Sequence, residues 1–350
     1  MQTFPKKKSG TTIIDIGEKL HLSKSTVSRA LTDSEGVSTK TKMLVRRTAK
    51  EMHYTINRIA KNLVSDTTKT IGFMIPDISD GFFPKMAIAA EKRLEQSGYS
   101  IIYINVQRDM ERIFNFLRHA EEYRYEGIFI TPDDWNKEFC EKLRSMTIPI
   151  ISLRRKTPKS LAGIIPYVDS DHFEGIEQGI NYLISLGHTK IGYIGFETLV
   201  GLERTAAYEK SIKKHNLEKI IVSNDSYQDP MVRIQVGYAS SKKLLDINPS
   251  VTAFFAGDDQ LAIGAMQYLR ENGIRVPEDI SIMGYDDRDT SQLFCIQLTT
   301  VHQQIEEIGD RAGNLMLEMI EGKNKKPKSI CVPTRLYIRK TTAARKIIFA

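Results

Sequence analysis

The chain has 350 residues, of which 41% are hydrophobic and 27% charged, so its length suits a small domain beside a larger two-lobed one. Its charge is uneven, because residues 1–68 contain 13 Lys or Arg and 6 Asp or Glu, whereas the remainder contains 37 of each. A basic segment on a neutral body is typical of a module that binds a polyanion, although a solvated basic tail has the same composition.

The sequence lacks the marks of an exported protein, a membrane protein or a common enzyme. No apolar run approaches the roughly 18 residues that span a bilayer, and no signal segment follows the N-terminal lysines, so we expect a cytoplasmic protein. No metal-ligand spacing and no nucleotide-binding or hydrolase motif is present, so neither an enzyme nor a cofactor or metal is predicted. Cys140, Cys295 and Cys331 have no paired spacing and are predicted to be reduced and buried.

Three short helices are predicted in the basic segment. Apolar residues recur at helical spacing from Ile13 to Leu20, and the pattern is then interrupted. Ser23 is placed to cap a second helix over Lys24–Leu31, and a third helix is predicted to begin near Ser38. This arrangement predicts a helix-turn-helix.

The second helix has the composition of a helix that enters a DNA groove. Val27, Ala30 and Leu31 would face the core of the domain. The opposite face would expose small hydroxyl and basic side chains, namely Lys24, Ser25, Thr26, Ser28 and Arg29. Such groups reach base edges and phosphates in the major groove.

Beyond residue 69, short apolar runs alternate with helical stretches, which predicts parallel sheets in two doubly wound α/β lobes. The runs are Thr70–Ile75, Ile101–Asn105, Gly127–Ile130, Pro149–Leu153, Lys190–Ile194, Ala253–Ala256 and Ile280–Gly284. Ligands of such folds bind beyond the carboxyl ends of the strands.

The order of these residues resembles the lactose/purine repressor family of bacterial regulators. The resemblance is carried by Thr12-Ile-Ile-Asp15-Ile16, Leu22-Ser23, Ser25-Thr26-Val27-Ser28-Arg29-Ala-Leu31, Val37-Ser38, Tyr54, Asn57-Arg58, Ala60, Leu63, Pro76-Asp-Ile-Ser79, Phe82-Phe83, Leu186-Gly187-His188 and Ile191-Gly192-Tyr193-Ile194. It implies a homodimeric repressor of carbohydrate uptake or catabolism genes that binds double-stranded operator DNA. A small sugar-like effector would control it allosterically.

The resemblance also implies a division of the chain. It comprises a helix-turn-helix domain over residues 1–56, a hinge helix and linker over 57–68, and a periplasmic-binding-protein-like domain for effector binding and dimerisation over 69–345. In the last, lobe 1 would contain residues 69–165 and 300–330, and lobe 2 would contain 166–299 and 331–345. The hinge helix would contact DNA through Asn57, Arg58, Ala60, Lys61 and Leu63, with Leu63 as an apolar wedge in the minor groove.

Eight residues occupy positions that line the effector cleft in the family: Phe82, Phe83, Arg154, Arg155, Asp171, Arg204, Asp259 and Asp286. Arg154 stands where relatives often have Asp, so the ligand is expected to be anionic, with its acid group near Arg154 or Arg155 and its hydroxyls on Asp286. The alternatives are that the two phenylalanines belong to the core, that the arginines are solvated and that Asp258 or Asp259 caps a helix.

Two related functions share this fold. A solute-binding protein would need an export signal and would carry no DNA-binding module. A catabolite-control regulator would bind a phosphoprotein corepressor through the region of Arg288 and Asp289, where the similarity is loose.

Overall fold

The computed structural model describes residues 11–55, 67–225, 230–323 and 326–345. The chain divides into two compact units, Met1–Thr67 and Thr68–Ala350. Each unit has its own hydrophobic core.

The N-terminal unit contains three helices, α1 (Ile13–Leu20), α2 (Lys24–Leu31) and α3 (Thr39–Glu51). A hydroxyl side chain caps each helix, and the caps are Thr12, Ser23 and Ser38. These caps satisfy amide groups that have no partner within the helix. The predicted cap of α2 and the start of α3 are therefore confirmed.

The turn between α1 and α2 depends on a close backbone contact. The amide of Leu22 donates to the carbonyl of Gly17 over 2.9 Å, and His21 has a φ of 53°. A Cβ atom on Gly17 would lie 2.7 Å from the carbonyl oxygen of Leu22, which is closer than van der Waals contact allows. Glycine therefore allows the turn to approach α1 closely.

The C-terminal unit contains two six-stranded sheets. The strands of lobe 1 are β1 (Thr70–Ile75), β2 (Ser100–Asn105), β3 (Gly127–Ile130), β4 (Ile150–Leu153), β5 (Tyr167–Ser170) and β11 (Ile330–Val332). The strands of lobe 2 are β6 (Ile191–Phe196), β7 (Ile220–Asn224), β8 (Ala253–Ala256), β9 (Ser281–Asp286), β10 (Thr299–Gln303) and β12 (Thr334–Tyr337). The orders are β11-β5-β4-β3-β1-β2 and β12-β10-β9-β8-β6-β7. All pairs are parallel except β10 with β12.

Helices cover both faces of each sheet. They are α4 (Phe82–Glu95), α5 (Met110–Glu122), α6 (Lys137–Ser145), α7 (His172–Ser185), α8 (Leu199–Lys214), α9 (Pro230–Ile247), α10 (Asp259–Glu271) and α11 (Ile305–Ile320). Phe73 and Met74, adjacent in β1, belong to two different cores, one with α4 and α11 and the other with α5 and α6. The near-continuous apolar runs of the strands follow from this double burial. The predicted doubly wound α/β class is confirmed.

Three connections join the lobes, after β5, after β10 and between β11 and β12. Their positions adjust the approximate lobe boundaries that the resemblance implied, because residues 167–170 and 331–332 belong to the lobe 1 sheet and residues 300–303 to the lobe 2 sheet. Apolar runs did not locate these crossings, because β5 and β10 contain polar residues and β11 has only three residues.

The cysteines also differ from expectation. Cys140 is buried, but Cys295 and Cys331 are exposed, and all three are free thiols.

Candidate functional site

A cleft of about 70 Å³ lies between the two lobes, beyond the carboxyl ends of their strands. Its lining comes from both lobes: Asp80, Phe83, Arg108, Asp133, Arg154, Arg155, Tyr193, Phe196, Thr198, Val200, Gly201, Arg204, Arg233, Gly257, Asp258, Asp286 and Arg288. Six of these residues are arginines and four are aspartates. The lining therefore has a formal excess of two positive charges.

The arginines on the lobe 2 side have carboxylate partners. Arg204 donates to Asp286 over 2.9 Å and to the carbonyl of Gly257 over 2.6 Å, and its guanidinium stacks 3.8 Å from the ring of Tyr285. Arg233 pairs with Asp258 at 2.9 Å. Because only Glu197 and Thr198 separate β6 from α8, this cleft wall is short.

Three ion pairs connect the lobes directly. Arg288 of lobe 2 forms a two-pronged contact with Asp80 of lobe 1, with N–O distances of 2.9 and 3.3 Å. Lys85 of α4 pairs with Asp289 at 2.6 Å, and Lys156 pairs with Glu203. Burial alone would raise the pKa of Asp80, but the positive charge of Arg288 outweighs it and lowers that pKa. These contacts favour an arrangement with the lobes close together.

On the lobe 1 side, one carboxylate forms ion pairs with two arginines. Asp133 accepts from Arg108 and, over 3.3 Å, from Arg155. Arg155 also donates to the backbone carbonyl of Arg154 over 2.7 Å. The Nε atoms of both Arg108 and Arg155 are buried without a hydrogen-bond acceptor. The donors on this wall therefore outnumber the acceptors.

Arg154 has no ion-pair partner among the described residues. Its guanidinium lies 3.7 Å from the ring centre of Phe82 and 5.4 Å from that of Phe83, and its Nε atom has no acceptor. The residue is 8% exposed. Burial, together with the neighbouring charge of Arg155, lowers the pKa of Arg154 to about 9. The cation is therefore poorly compensated.

Backbone conformation marks three cleft residues. Arg108 has a φ of 58°, Arg154 a φ of 56° and Asp286 a φ of 107°, in the region that favours glycine. Such conformations persist where the surrounding structure imposes them, commonly at binding sites. Arg154 follows β4 and Asp286 ends β9, so both lie where a doubly wound fold binds ligands.

Asp286 is a buried acceptor shared by several donors. Besides Arg204, it accepts from the amide of Gln303 over 2.6 Å, and the Nε atom of Arg288 lies 3.7 Å away. Burial alone would raise the pKa of Asp286, but the charges of Arg204 and Arg288 lower it below its ordinary value. The carboxylate is therefore ionised.

The structure brings five of the eight predicted cleft residues together: Phe83, Arg154, Arg155, Arg204 and Asp286. The other three occupy different positions. Phe82 is buried beneath Arg154, so its ring already stacks on a cation. Asp171 caps α7 by accepting from the amide of Glu174 over 2.9 Å, so its carboxylate serves the helix.

Asp259 is the third residue outside the cleft lining. It is fully buried and accepts from the backbone amide of Arg288, the hydroxyl of Ser291 and the hydroxyl of Thr300, at 2.6 to 2.7 Å. Burial, assisted by the charge of Asp286, raises its pKa to about 8. The neighbouring Asp258 caps α10 by accepting from the amide of Leu261 over 2.8 Å. The alternative of helix capping therefore holds for Asp258.

Several cleft residues were missed in the sequence. Asp80, Arg108 and Asp133 follow β1, β2 and β3 within a few residues, so the strand-end rule could have identified them. Arg233 lies in the first turn of a helix and had no such signal.

The predicted DNA-contacting side chains of α2 are arranged on its outer face. Lys24, Ser25, Ser28 and Arg29 are exposed and Thr26 is partly exposed, whereas Val27 and Ala30 are buried. The hydroxyl of Ser23 lies 2.8 Å from those of both Ser25 and Thr26. Of the described residues, none forms an ion pair with Lys24 or Arg29.

The hinge residues Asn57, Arg58, Ala60, Lys61 and Leu63 lie outside the described residues. Within the described ranges, no helix is both long and apolar enough to cross a membrane. In the same part of the chain, no cluster of three His, Cys, Asp or Glu side chains could hold a metal ion.

Comparisons with known proteins agree with these features. Residues 12–57 match the model for bacterial regulatory proteins of the lacI family, and residues 180–342 match a periplasmic binding protein-like domain. The HTH-type transcriptional repressor PurR of Pasteurella multocida is 31% identical over 336 residues, covering 95% of this chain and 99% of that repressor. The chain belongs to the LacI family. It is a DNA-binding transcriptional repressor, as are its relatives.

Other relatives and solved structures extend the comparison. The HTH-type transcriptional repressor PurR of Escherichia coli is 30% identical, with 95% of this chain and 97% of that repressor covered. The lac repressor dimer bound to operator and the anti-inducer ONPF has the same fold, with a TM-score of 0.85, 24% identity and coverage of 96% and 100%. A LacI-family regulator of Enterococcus faecium with bound ribose has a TM-score of 0.66, 26% identity and coverage of 79% and 100%.

We expect Asp259 to make the stability of this LacI-family chain depend on pH. Its pKa is about 8 in the folded state against 3.8 for the ordinary side chain, so the contribution of the protonated carboxyl is lost as the pH rises from about 4 towards 8. One proton changes the free energy of unfolding by at most about 1.4 kcal/mol per pH unit.

The measurement is urea unfolding at pH 5, 6.5 and 8 for the wild type, Asp259→Asn and a control, Asp109→Asn. Asp109 is an exposed aspartate that caps α5. The free energy of unfolding should fall with rising pH in the wild type and in the control, but not in the Asp259 variant. Parallel slopes in all three proteins would show that Asp259 ionises normally.

Proposed function

We propose that this repressor binds a palindromic operator of about 14–20 base pairs as a homodimer, under the control of an anionic, sugar-like molecule in the interlobe cleft. The target genes would be those of carbohydrate uptake or catabolism. The single observation that carries the effector proposal is the buried guanidinium of Arg154, which forms no ion pair with any described carboxylate.

The DNA-binding part of the proposal rests on α2. Its exposed face combines the cations Lys24 and Arg29 with the hydroxyl of Ser28, and neither cation forms an ion pair with a described residue. A helix of this kind can donate to guanine and phosphate oxygens in the major groove. Two such helices in a symmetric dimer require two half-sites. The sequence-based roles of Asn57, Arg58, Ala60, Lys61 and Leu63 complete the proposed contact surface.

The effector part rests on the asymmetry of the cleft. A charge taken out of water is stabilised only by a partner charge and hydrogen bonds, but Arg154 forms no ion pair with a described residue and its Nε atom has no acceptor. A carboxylate or phosphate of the ligand would supply both. The carboxylate of Asp286, on the opposite wall, would accept hydrogen bonds from hydroxyl groups of the ligand.

The bound ribose in the Enterococcus faecium regulator supports a hydroxylated ligand. The alternative of a protein corepressor gains no support from Arg288 and Asp289, because both side chains already pair with lobe 1.

We expect Arg29→Ala to weaken operator binding and to relax its sequence preference, because a contact to a base edge carries sequence information. The loss should be about 1–3 kcal/mol for the operator and much smaller for unrelated DNA. Fluorescence anisotropy with an operator selected from a random DNA pool would measure both affinities. The control is Arg118→Ala, which removes one exposed cation from α5 of the other unit. Equal losses for operator and unrelated DNA would refute the base contact.

We expect an acidic sugar to bind more tightly than its neutral parent, by about ten- to a hundredfold, because Arg154 would form a charge-assisted contact. A thermal-shift panel of sugars, sugar acids and sugar phosphates would identify the best acid, and titration calorimetry would compare it with its neutral parent. The Arg154→Gln variant should bind both equally. Equal affinities in the wild type would exclude an anionic effector and leave the repressor assignment intact.

A further inference from the structure

We propose that the cleft selects a dianion, namely a phosphomonoester, whose phosphate lies on lobe 1 and whose hydroxylated body lies against lobe 2. The phosphate would be held by the lobe 1 arginine cluster, defined as Arg108, Arg154 and Arg155 with the shared carboxylate of Asp133. This inference rests on the proposed function, in which the cleft binds an anionic effector.

The first argument is the distribution of charge between the two walls. On the lobe 2 side, Arg204 and Arg233 are matched by Asp286 and Asp258, and Arg288 is matched by Asp80 across the cleft. The remaining lining charges are those of the lobe 1 arginine cluster, in which Asp133 pairs with Arg108 and Arg155 and no described carboxylate pairs with Arg154. The excess of two positive charges is therefore located on lobe 1.

A second argument is the shortage of hydrogen-bond acceptors in the cluster. All three of its arginines have a buried Nε atom without an acceptor, as do Arg204 and Arg288 of lobe 2, but Arg204 and Arg288 each have a carboxylate partner, whereas Arg154 has none among the described residues. A carboxylate has two oxygens, whereas a phosphate group has three terminal oxygens and carries a charge of about −1.5 to −2 near neutral pH. A phosphomonoester therefore matches both the number of free donors and the excess charge better than a monocarboxylate does.

Asp169 is the other acid near this cluster. It is fully buried, does not line the cleft, and has the ring of His172 as an ionisable neighbour at 3.5 Å. Its charge attracts Arg154 and Arg155, but it forms no ion pair with either, and the pKa of Arg154 stays depressed. Asp169 therefore reduces the excess charge without occupying the position of a ligand.

The opposite wall fits the uncharged part of such a ligand. Asp258 and Asp286 lie there with the hydroxyl of Thr198, and both carboxylates can accept from hydroxyl groups. A second phosphate on this side would meet arginines that already have carboxylate partners, so it would gain less there than on lobe 1. The orientation of the ligand is therefore set by charge.

The test uses inorganic ions, so it does not depend on the body of the ligand. Titration calorimetry on the full chain at pH 8 would compare sulfate and phosphate, which are dianions, with acetate, at constant ionic strength. Wild type should bind both dianions at least tenfold more tightly than acetate. Arg154→Gln and Arg108→Gln should each lose at least fivefold in sulfate affinity, whereas the control Arg275→Gln, which removes an exposed arginine of lobe 2, should bind like wild type.

The outcomes separate this inference from the proposed function. Acetate binding as tightly as sulfate, or sulfate affinity unchanged in both cluster variants, would overturn the dianion site. Operator binding measured on the same samples reports the repressor function independently, and binding of an acidic sugar by wild type reports an anionic effector. The comparison of ions in the wild type keeps the test valid if a variant does not fold.

Discussion

The buried cation of Arg154 is the constraint on which the rest of the cleft depends. Its guanidinium lies on Phe82 at 3.7 Å, in a backbone conformation that favours glycine, and no described side chain offers it a carboxylate. An unpaired charge in such a place costs several kcal/mol, because the desolvation is not compensated. The stacking on Phe82 offsets only about 2 kcal/mol of this. An anionic ligand that completes the ion pair would account for a residue that otherwise destabilises the lobe.

In the proposed function, the ion pairs between the lobes would give an anionic ligand a route to affect DNA binding. Asp80 with Arg288, Lys85 with Asp289 and Lys156 with Glu203 all hold lobe 1 against lobe 2. The three connections after β5, after β10 and between β11 and β12 allow the lobes to rotate about a common hinge. A ligand with its acid on lobe 1 and its hydroxyls on lobe 2 would stabilise one orientation, and in a homodimer that orientation would set the spacing of the two α2 helices.

The sequence was sufficient for the architecture and for part of the site. Apolar runs such as Thr70–Ile75 identified strands because these strands are buried on both faces, and the hydroxyl caps Ser23 and Ser38 identified helix starts. Strands such as Thr299–Gln303 were not identified from the sequence, because they begin and end with polar residues that are buried through hydrogen bonds. Asp171 and Asp259 do not line the cleft as expected. An acid at a strand end can cap a helix, accept buried hydrogen bonds or bind a ligand, and only tertiary contacts distinguish these roles.

The most direct test of this account is the coupling between the cleft and the operator. Operator affinity would be measured by fluorescence anisotropy at constant ionic strength, over increasing concentrations of the tightest-binding acidic sugar, for wild type and Arg154→Gln. The account predicts that the acid changes the operator affinity of wild type at least about fivefold, the lower end of allosteric coupling, and leaves that of Arg154→Gln unchanged. An acid that binds wild type without changing operator affinity, or that changes it equally in the variant, would contradict the account.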